Sequence, residues 1–519
     1  MLSLARKKQY KGKNMKFTKL SLIAAIAAST AFAGGDIAPV EPAPVVEASP
    51  WSFGGDAKLY YKTNSNVAGA SIFDQAAAQG QGAISADIGY AINSNWKVNM
   101  GLTGLVTLGL DDSVVSGVWL LAGANADPLG LPVTSVGDAL WIDTLNITGT
   151  MFDGALTTVI GRQELDTPLA YSEKWTIAAN TFDAAVALAK PMENVTLVGA
   201  YIYDGNGNGP RITTFDGVTN GYIHGTTLFP VSPYSGEASA GGFTGASGYF
   251  PVLGINKGAV AVAAIATISD VTAQVWYYDV LDVAQAVWAQ ADTKIAGFTL
   301  GAQYAWIGYD NVLNSRTNTY LSTTPLSNIY EDSSAWAVKA GYDVMENLNV
   351  WAAYSDVDDV AANKTAISIS NTATMLSGAG WGNSAKHSGQ SKLYTEAWWN
   401  YGYVGQAGAQ TVAVGANYNV GNVSIFENTT LSAQYTSIKD AKEFLAPLGR
   451  TQVTWFNDTV DLDEVTVVVG TDVAGLNVQV AYINTQTTTT FRSATATPTV
   501  IRTVDDTSDE VQLYLTYKF

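Results

Sequence analysis

The sequence contains no cysteine and only two histidines, His224 and His387, in 519 residues. Disulfide bridges and thiolate metal sites are therefore excluded. Nothing in the spacing sets either histidine beside a nucleophilic serine and an orienting acid, so no enzyme is expected. Basic residues are also scarce, with 27 Lys and Arg against 45 Asp and Glu. Phosphate recognition needs clustered Lys and Arg, which excludes nucleic acid as a partner class. A membrane-spanning helix needs about 20 consecutive apolar residues. Beyond the N-terminal region the richest apolar run is only Ala259 to Ala266. Charged residues make up 14% of the chain, against roughly 25% in ordinary soluble domains. In their place stand 49 Gly, 26 Tyr and 14 Trp, with Thr, Asn and Val throughout, which are residues that form and turn strands.

The N-terminal region has the three parts of a secretory signal. Lys16 and Lys19 form a basic start, Leu20 to Ala28 a short apolar stretch, and Ala31-Phe32-Ala33 a small-x-small cleavage pattern. Residues 1–33 read as a signal peptide and Gly34 as the mature start. Because Met15 directly precedes the basic start, residues 1–14 read as an over-extended gene start. Residues 34–50, with Pro39, Pro42, Pro44 and Pro50, read as a short extended linker, and 51–519 as a single barrel unit. The first 33 residues carry seven Lys or Arg and no acid, which leaves 20 basic against 45 acidic residues, a balance of −25.

A chain without spanning helices crosses a membrane only as a closed β-barrel, because lipid offers no partner to backbone N–H and C=O groups. The signature is ~10-residue stretches of alternating polarity, joined in turn by tight turns and long loops. Gly82 to Ile92 and Trp96 to Thr107 form such a hairpin across Asn93-Ser94-Asn95: Ala86, Ile88 and Tyr90 alternate with Ser85, Asp87 and Gly89, and Trp96, Val98 and Met100 with Lys97, Asn99 and Gly101. The same alternation places Lys339 among the polar positions of Trp336 to Asp343. Met192-Glu193-Asn194 and Met345-Glu346-Asn347 repeat one turn word. Further tight turns are expected at Asp153-Gly154, 268–270, 292–295, 420–422 and 472–475. Long external loops are expected at 205–257, 357–409 and 437–462. The count is about 18 strands, the first Ala57 to Thr63 and the last Ser508 to Phe519, giving an all-β transmembrane antiparallel barrel with short periplasmic turns.

The last strand, in which Val511, Leu513, Leu515, Tyr517 and Phe519 alternate with Gln512, Tyr514, Thr516 and Lys518, resembles the terminal strand of Gram-negative outer-membrane proteins. In those proteins the final aromatic, here Phe519, is read by the barrel-assembly machinery. Gly161-Arg162-Gln163-Glu164-Leu165-Asp166-Thr167-Pro168, followed by Asn180-Thr181-Phe182, resembles the strand leading into the third loop of major outer-membrane porins and OprD-like porins. The resemblance implies an 18-stranded barrel in the bacterial outer membrane, exported through the periplasm and assembled as a homotrimer. It further implies a third loop, about 166–181, folded inward to narrow a channel for ions and small hydrophilic solutes, with outer-membrane lipid as surroundings. No ladder of basic residues, as in a relative selective for basic amino acids, is present.

Selectivity in such a channel comes from charges where water is scarce. The candidates are Arg162, Glu164, Asp166, Glu173 and Lys174 at the constriction, with Asp87, Lys97 and Lys339 on the lumen wall. Each is also open to being a solvated charge on a polar wall, the wall group more so than the loop group, since polar lumens are normal in this class. The acidic balance favours cations, although part of it is expected on external loops at Asp356, Asp358 and Asp359 and at Asp505, Asp506 and Asp509. Carboxylate oxygens bind Ca²⁺, and the resemblance implies a loosely bound lumenal Ca²⁺, but no EF-hand spacing is present. No other cofactor is expected. The long loops also allow a second class of function, a surface adhesin anchored by a barrel.

Overall fold

The computed structural model describes residues 49–65, 71–107, 139–174, 177–206, 258–281, 284–309, 331–360, 366, 368–371, 390–442, 455–493 and 501–519. It also describes short strand pairs at 124–125 with 135–136, 214–215 with 218–219 and 221–224 with 227–230. The expected signal peptide, all but the end of the 34–50 segment, and His387 lie outside these residues. His224 ends one of the short strands.

Eighteen strands form one antiparallel sheet. In chain order they are β1 (Trp51–Asn64), β2 (Ala78–Ala91), β3 (Trp96–Thr107), β4 (Ala139–Met151), β5 (Leu156–Gln163), β6 (Thr181–Met192), β7 (Val195–Asn206), β8 (Ala259–Ile268) and β9 (Val271–Val280). There follow β10 (Ala284–Ile295), β11 (Phe298–Tyr309), β12 (Ser333–Met345), β13 (Leu348–Val357), β14 (Gln410–Val423), β15 (Phe426–Ala441), β16 (Trp455–Val473), β17 (Leu476–Ser493) and β18 (Ile501–Lys518). Each pairs with its sequence neighbours, and β1 also pairs with β18 from Asp56↔Lys518 to Asn64↔Glu510. The sheet therefore closes and leaves no edge along that seam. At the seam Gly55 and Phe519 exchange backbone hydrogen bonds of 3.1 and 3.0 Å.

Alternation assigns the two faces. On β9, Val275 and Tyr277 are 55% and 38% exposed, whereas Trp276 and Tyr278 are 2% and 1% exposed. The outward set around the sheet is Leu, Ile, Val and aromatic. Trp51, Tyr90, Phe298, Tyr342 and Tyr517 stand near the short-turn end, and Tyr304, Trp336, Tyr435 and Tyr482 nearer the loop end. Such an apolar belt with two aromatic girdles is what a bilayer requires of a barrel surface, because rings tolerate the half-wet interface. The buried apolar cluster lies inside the barrel, where Phe182, Ile202, Trp276, Trp288 and Ile307 pack against loop residues Leu169, Leu393 and Tyr394.

Several boundaries differ from the sequence reading. The first strand begins at Trp51 rather than Ala57, and the last at Ile501 rather than Ser508. Asp356 lies in β13, and Asp505, Asp506 and Asp509 lie in β18, not in loops. There they are satisfied as strand residues: the Thr488 hydroxyl donates to Asp505 at 2.7 Å, and Tyr482 and Asn484 donate to Asp509 at 2.6 and 2.9 Å. Two turns fall later than expected, at Ala296-Gly297 instead of 292–295 and after Val423 instead of 420–422. The reversal goes where the backbone enters the left-handed region, with φ of 50° and 83° at Ala296 and Gly297. Two successive positive φ values make the turn whose twist matches paired strands. Asp292 instead stays in β10 and receives a hydrogen bond from Gln290 at 2.6 Å.

Candidate functional site

β5 has only eight residues. The chain therefore leaves the wall early, and residues 164–174 and 177–180 turn toward the inner face. Leu165, Leu169, Ala170 and Tyr171 are buried there. The Thr167 hydroxyl donates to the carbonyl of Ala170 at 2.7 Å, closing a tight turn, and the amide of Leu169 donates to the Tyr278 hydroxyl on β9 at 3.4 Å.

A second segment, residues 390–409, also turns inward, contrary to the expectation that 357–409 is wholly an external loop. Leu393, Tyr394, Ala397, Tyr403 and Val404 are buried. Its polar atoms are met by inward-facing wall residues. Gln303 on β11 donates to the carbonyl of Lys392 at 2.8 Å and accepts from the amide of Tyr394 at 3.0 Å. Ser355 on β13 bonds Thr395, and Gln434 on β15 donates to the carbonyl of Glu396 at 2.7 Å. Glu464 on β16 accepts from the amides of Trp398, Trp399 and Asn400, and Trp398 Nε1 donates to Gln512 on β18. Lys62 on β1 stands 4.2 Å from the centre of the Trp399 ring. The segment thus lies along the inner wall over roughly half its circumference. The two inward segments meet where the amide of Gln390 donates to Glu173 Oε1 at 3.2 Å and where Lys392 pairs with Asp166. Asn371, from the same long connection as Gln390, also donates to Glu173 Oε1 at 2.9 Å and to the carbonyl of Tyr171 at 2.8 Å.

Of the residues singled out from sequence, Glu164, Asp166 and Lys174 come together. Lys174 pairs with Glu164, and all three side chains are substantially exposed. Burial acts to lower the Lys174 pKa, but the Glu164 carboxylate beside it outweighs this, and the net direction is upward. Glu173 does not join them: it is 2% exposed and accepts from Asn371 and from the amide of Gln390, so it ties segment to segment. Arg162 does not join them either. It shares the face of β5 that carries Ile160, is in register with Leu145 and Asp183, and forms a 2.9 Å ion pair with Asp183. Because Ile160 and Leu145 are 54% and 48% exposed, that face is the outer one. Period-two alternation over so short a strand decides this: Gln163 points inward, so Arg162 points away.

Asp87, Lys97 and Lys339 lie on the inner wall. Asp143, Asp56 and Glu164 are close enough to Asp87 for their charges to act on it. Lys97 lies across Gly89, where a Cβ would meet its side chain at 2.4 Å. Lys339 stands 5.2 Å from the Trp351 ring centre and 5.9 Å from that of Tyr394. Other inner lysines are matched by acids, Lys58 by Asp56 and Lys62 by Glu510. Asp56 and Asp143, which the sequence reading missed, occupy inward positions next to Asp87; alternation on β1 locates Asp56, whereas a register shift between β3 and β4 at Asp143 breaks the alternation and hides it. The Ca²⁺ expectation finds no ligand set, since among the described residues no three acidic or histidine side chains are grouped to hold a metal ion. Phe519 is 55% exposed at the seam.

The fold defines a closed 18-stranded antiparallel barrel of the membrane type. No family model matches the chain, and no curated protein matches it. Solved structures do. OccAB1 of Acinetobacter baumannii superposes with a TM-score of 0.58 at 11% identity, over 90% of this chain and 96% of that one. OccK8 (OprE) of Pseudomonas aeruginosa gives 0.54 at 13%, over 90% and 98%. OpdK of the same organism, solved with vanillate, gives 0.52 at 11%, over 90% and 98%. The architecture implied by the resemblance to OprD-like porins is the architecture found.

Proposed function

We propose that this chain is a passive, water-filled porin of the bacterial outer membrane, weakly selective for cations and narrowed by its third loop. The observation that carries the reading is the distribution of inner charge. Asp56, Asp87, Asp143, Glu164 and Asp166 collect on β1 to β4 and the start of the third loop; Lys58, Lys174 and Lys392 are held by Asp56, Glu164 and Asp166, which leaves Asp87 and Asp143 with no ion pair among the described residues. A barrel of about 18 strands is wide enough to hold water, and a bore lined by unbalanced carboxylates raises the local concentration of cations. Similarity to a barrel solved with vanillate supports passage of small organic solutes. Assembly as a homotrimer, and recognition of Phe519 by the assembly machinery, follow from the resemblance and belong to the same proposal.

The test is the reversal potential across a planar bilayer under a salt gradient. The wild type is expected to prefer cations, and the double variant Asp87→Asn, Asp143→Asn to move toward no preference. Anion preference in the wild type, or identical potentials for the two proteins, would reject the selectivity.

A further inference from the structure

We propose that Glu464 is a positioning residue: its buried carboxylate clasps the 390–409 segment to the wall and so keeps that segment clear of the bore. The inference rests on the porin reading for its functional consequence, but the clasp itself stands on geometry. Glu464 lies on β16 and is 1% exposed. Its Oε1 accepts from the amide of Trp398 at 2.8 Å, both oxygens accept from the amide of Trp399 at 3.2 Å, and Oε2 accepts from the amide of Asn400 at 2.9 Å. Asn400 Nδ2 donates to Oε2 at 2.8 Å and also to Thr485 on β17 at 2.9 Å, and the Thr466 hydroxyl donates to Oε1 at 3.1 Å.

Three successive backbone N–H groups converging on one anion form a concave nest of the kind that binds phosphates and carboxylates. Here the anion belongs to the wall and the nest to the loop. Hydrogen bonds to an ionised acceptor are about twice as strong as neutral ones, and a charge buried to this depth is tolerated only because the donors surround it. Neighbouring contacts at Gln303, Ser355 and Gln434 are neutral and single or paired. Glu464 is therefore the strongest single attachment of the segment's middle. With the wall behind it, a released segment moves toward the barrel axis and obstructs flow.

The variant Glu464→Gln keeps the size but replaces one acceptor oxygen with an N–H₂ group that faces donors. Two readouts apply, both on protein that retains the β spectrum of the wild type. In detergent, chymotrypsin should nick the variant between residues 394 and 403 at least about tenfold faster, because a lost charge-assisted contact raises local opening by that order. In a planar bilayer the variant should show brief closures and a lower mean current. The double substitution Ser355→Cys, Thr395→Cys in the Glu464→Gln background, in a chain otherwise free of cysteine, should abolish both effects when oxidised and restore them on reduction. If Glu464→Gln fails to fold, Asn400→Ala, which removes two of the contacts from the loop side, should show the same changes to a smaller degree. Equal nicking rates, or a steady current of unchanged or larger size in folded variants, would overturn the clasp. A wild-type barrel that conducts nothing would reject the porin reading instead, and the nicking rates would still decide the clasp.

Discussion

At Gly55 the seam of the barrel leaves no room for a side chain. A Cβ there would meet the Ser85 carbonyl at 2.2 Å and the Phe519 ring at 2.8 Å. Gly55→Ala is therefore expected to strain the β1–β2 pairing, where the obstacle is backbone, and to displace the Phe519 ring, at a cost of roughly 1–3 kcal/mol typical of overpacking. The check is the midpoint of denaturant unfolding in micelles, which should fall, whereas Gly54→Ala, where the nearest atom is 3.6 Å away, should leave it nearly unchanged. Glu396 makes a second residue-scale prediction. Burial pushes its pKa well above the ordinary 4.5, with further upward pressure from Glu173 and Glu464, and the hydrogen bonds from Ser391 only partly offset this. A carboxyl raised in the folded state holds its proton more tightly there than in the unfolded chain. Its contribution is thus most favourable below 4.5 and is lost as pH rises through the raised value. Thermal stability should consequently decline with pH over that window, and Glu396→Gln should flatten the decline. An unchanged slope in the variant would assign the pH dependence to other groups.

At the scale of elements, the strands were legible and the loops were not. Alternation needs only lipid on one side and water on the other, so hairpins such as β2–β3 and the final strand could be read directly. The turn at Ala296-Gly297 was displaced because Ala gives no compositional hint of a left-handed backbone, whereas Asp292 looks like a turn former and is not one. Gly297→Val should therefore destabilise that hairpin by about 1 kcal/mol or more, measurable as faster hydrogen exchange in β10 and β11 than in the wild type. Equal exchange would show that the turn tolerates a side chain at positive φ. The inward course of 390–409 was invisible for another reason. What holds it is a set of wall residues at least 38 positions away, among them Gln434, Glu464 and Gln512. One local sign was present: a segment carrying Leu393, Tyr394, Trp398, Trp399, Tyr401 and Tyr403 has more apolar surface than an external loop can leave in water. Arg162 was placed at the constriction from a motif read as the strand leading into the third loop, and the motif alone does not tell which face of that strand the side chain takes; its register with Leu145 does.

At the scale of the whole molecule, closure between β1 and β18 makes one continuous wall with an apolar belt outside and charged, hydroxyl and amide groups inside. The acidic excess and the scarcity of unmatched lysine on the inner wall follow from composition, and the closed sheet turns them into a field along the bore. What composition leaves open is how the interior is divided, because two loops, joined at Asn371 and Glu173, fill part of it. The central claim is that the remainder is a continuous water path. The most direct measurement is the current through a planar lipid bilayer after adding the purified mature protein. The account predicts discrete upward steps of uniform size, each persisting at low voltage. A barrel that inserts and resists denaturation yet yields no steps would contradict it.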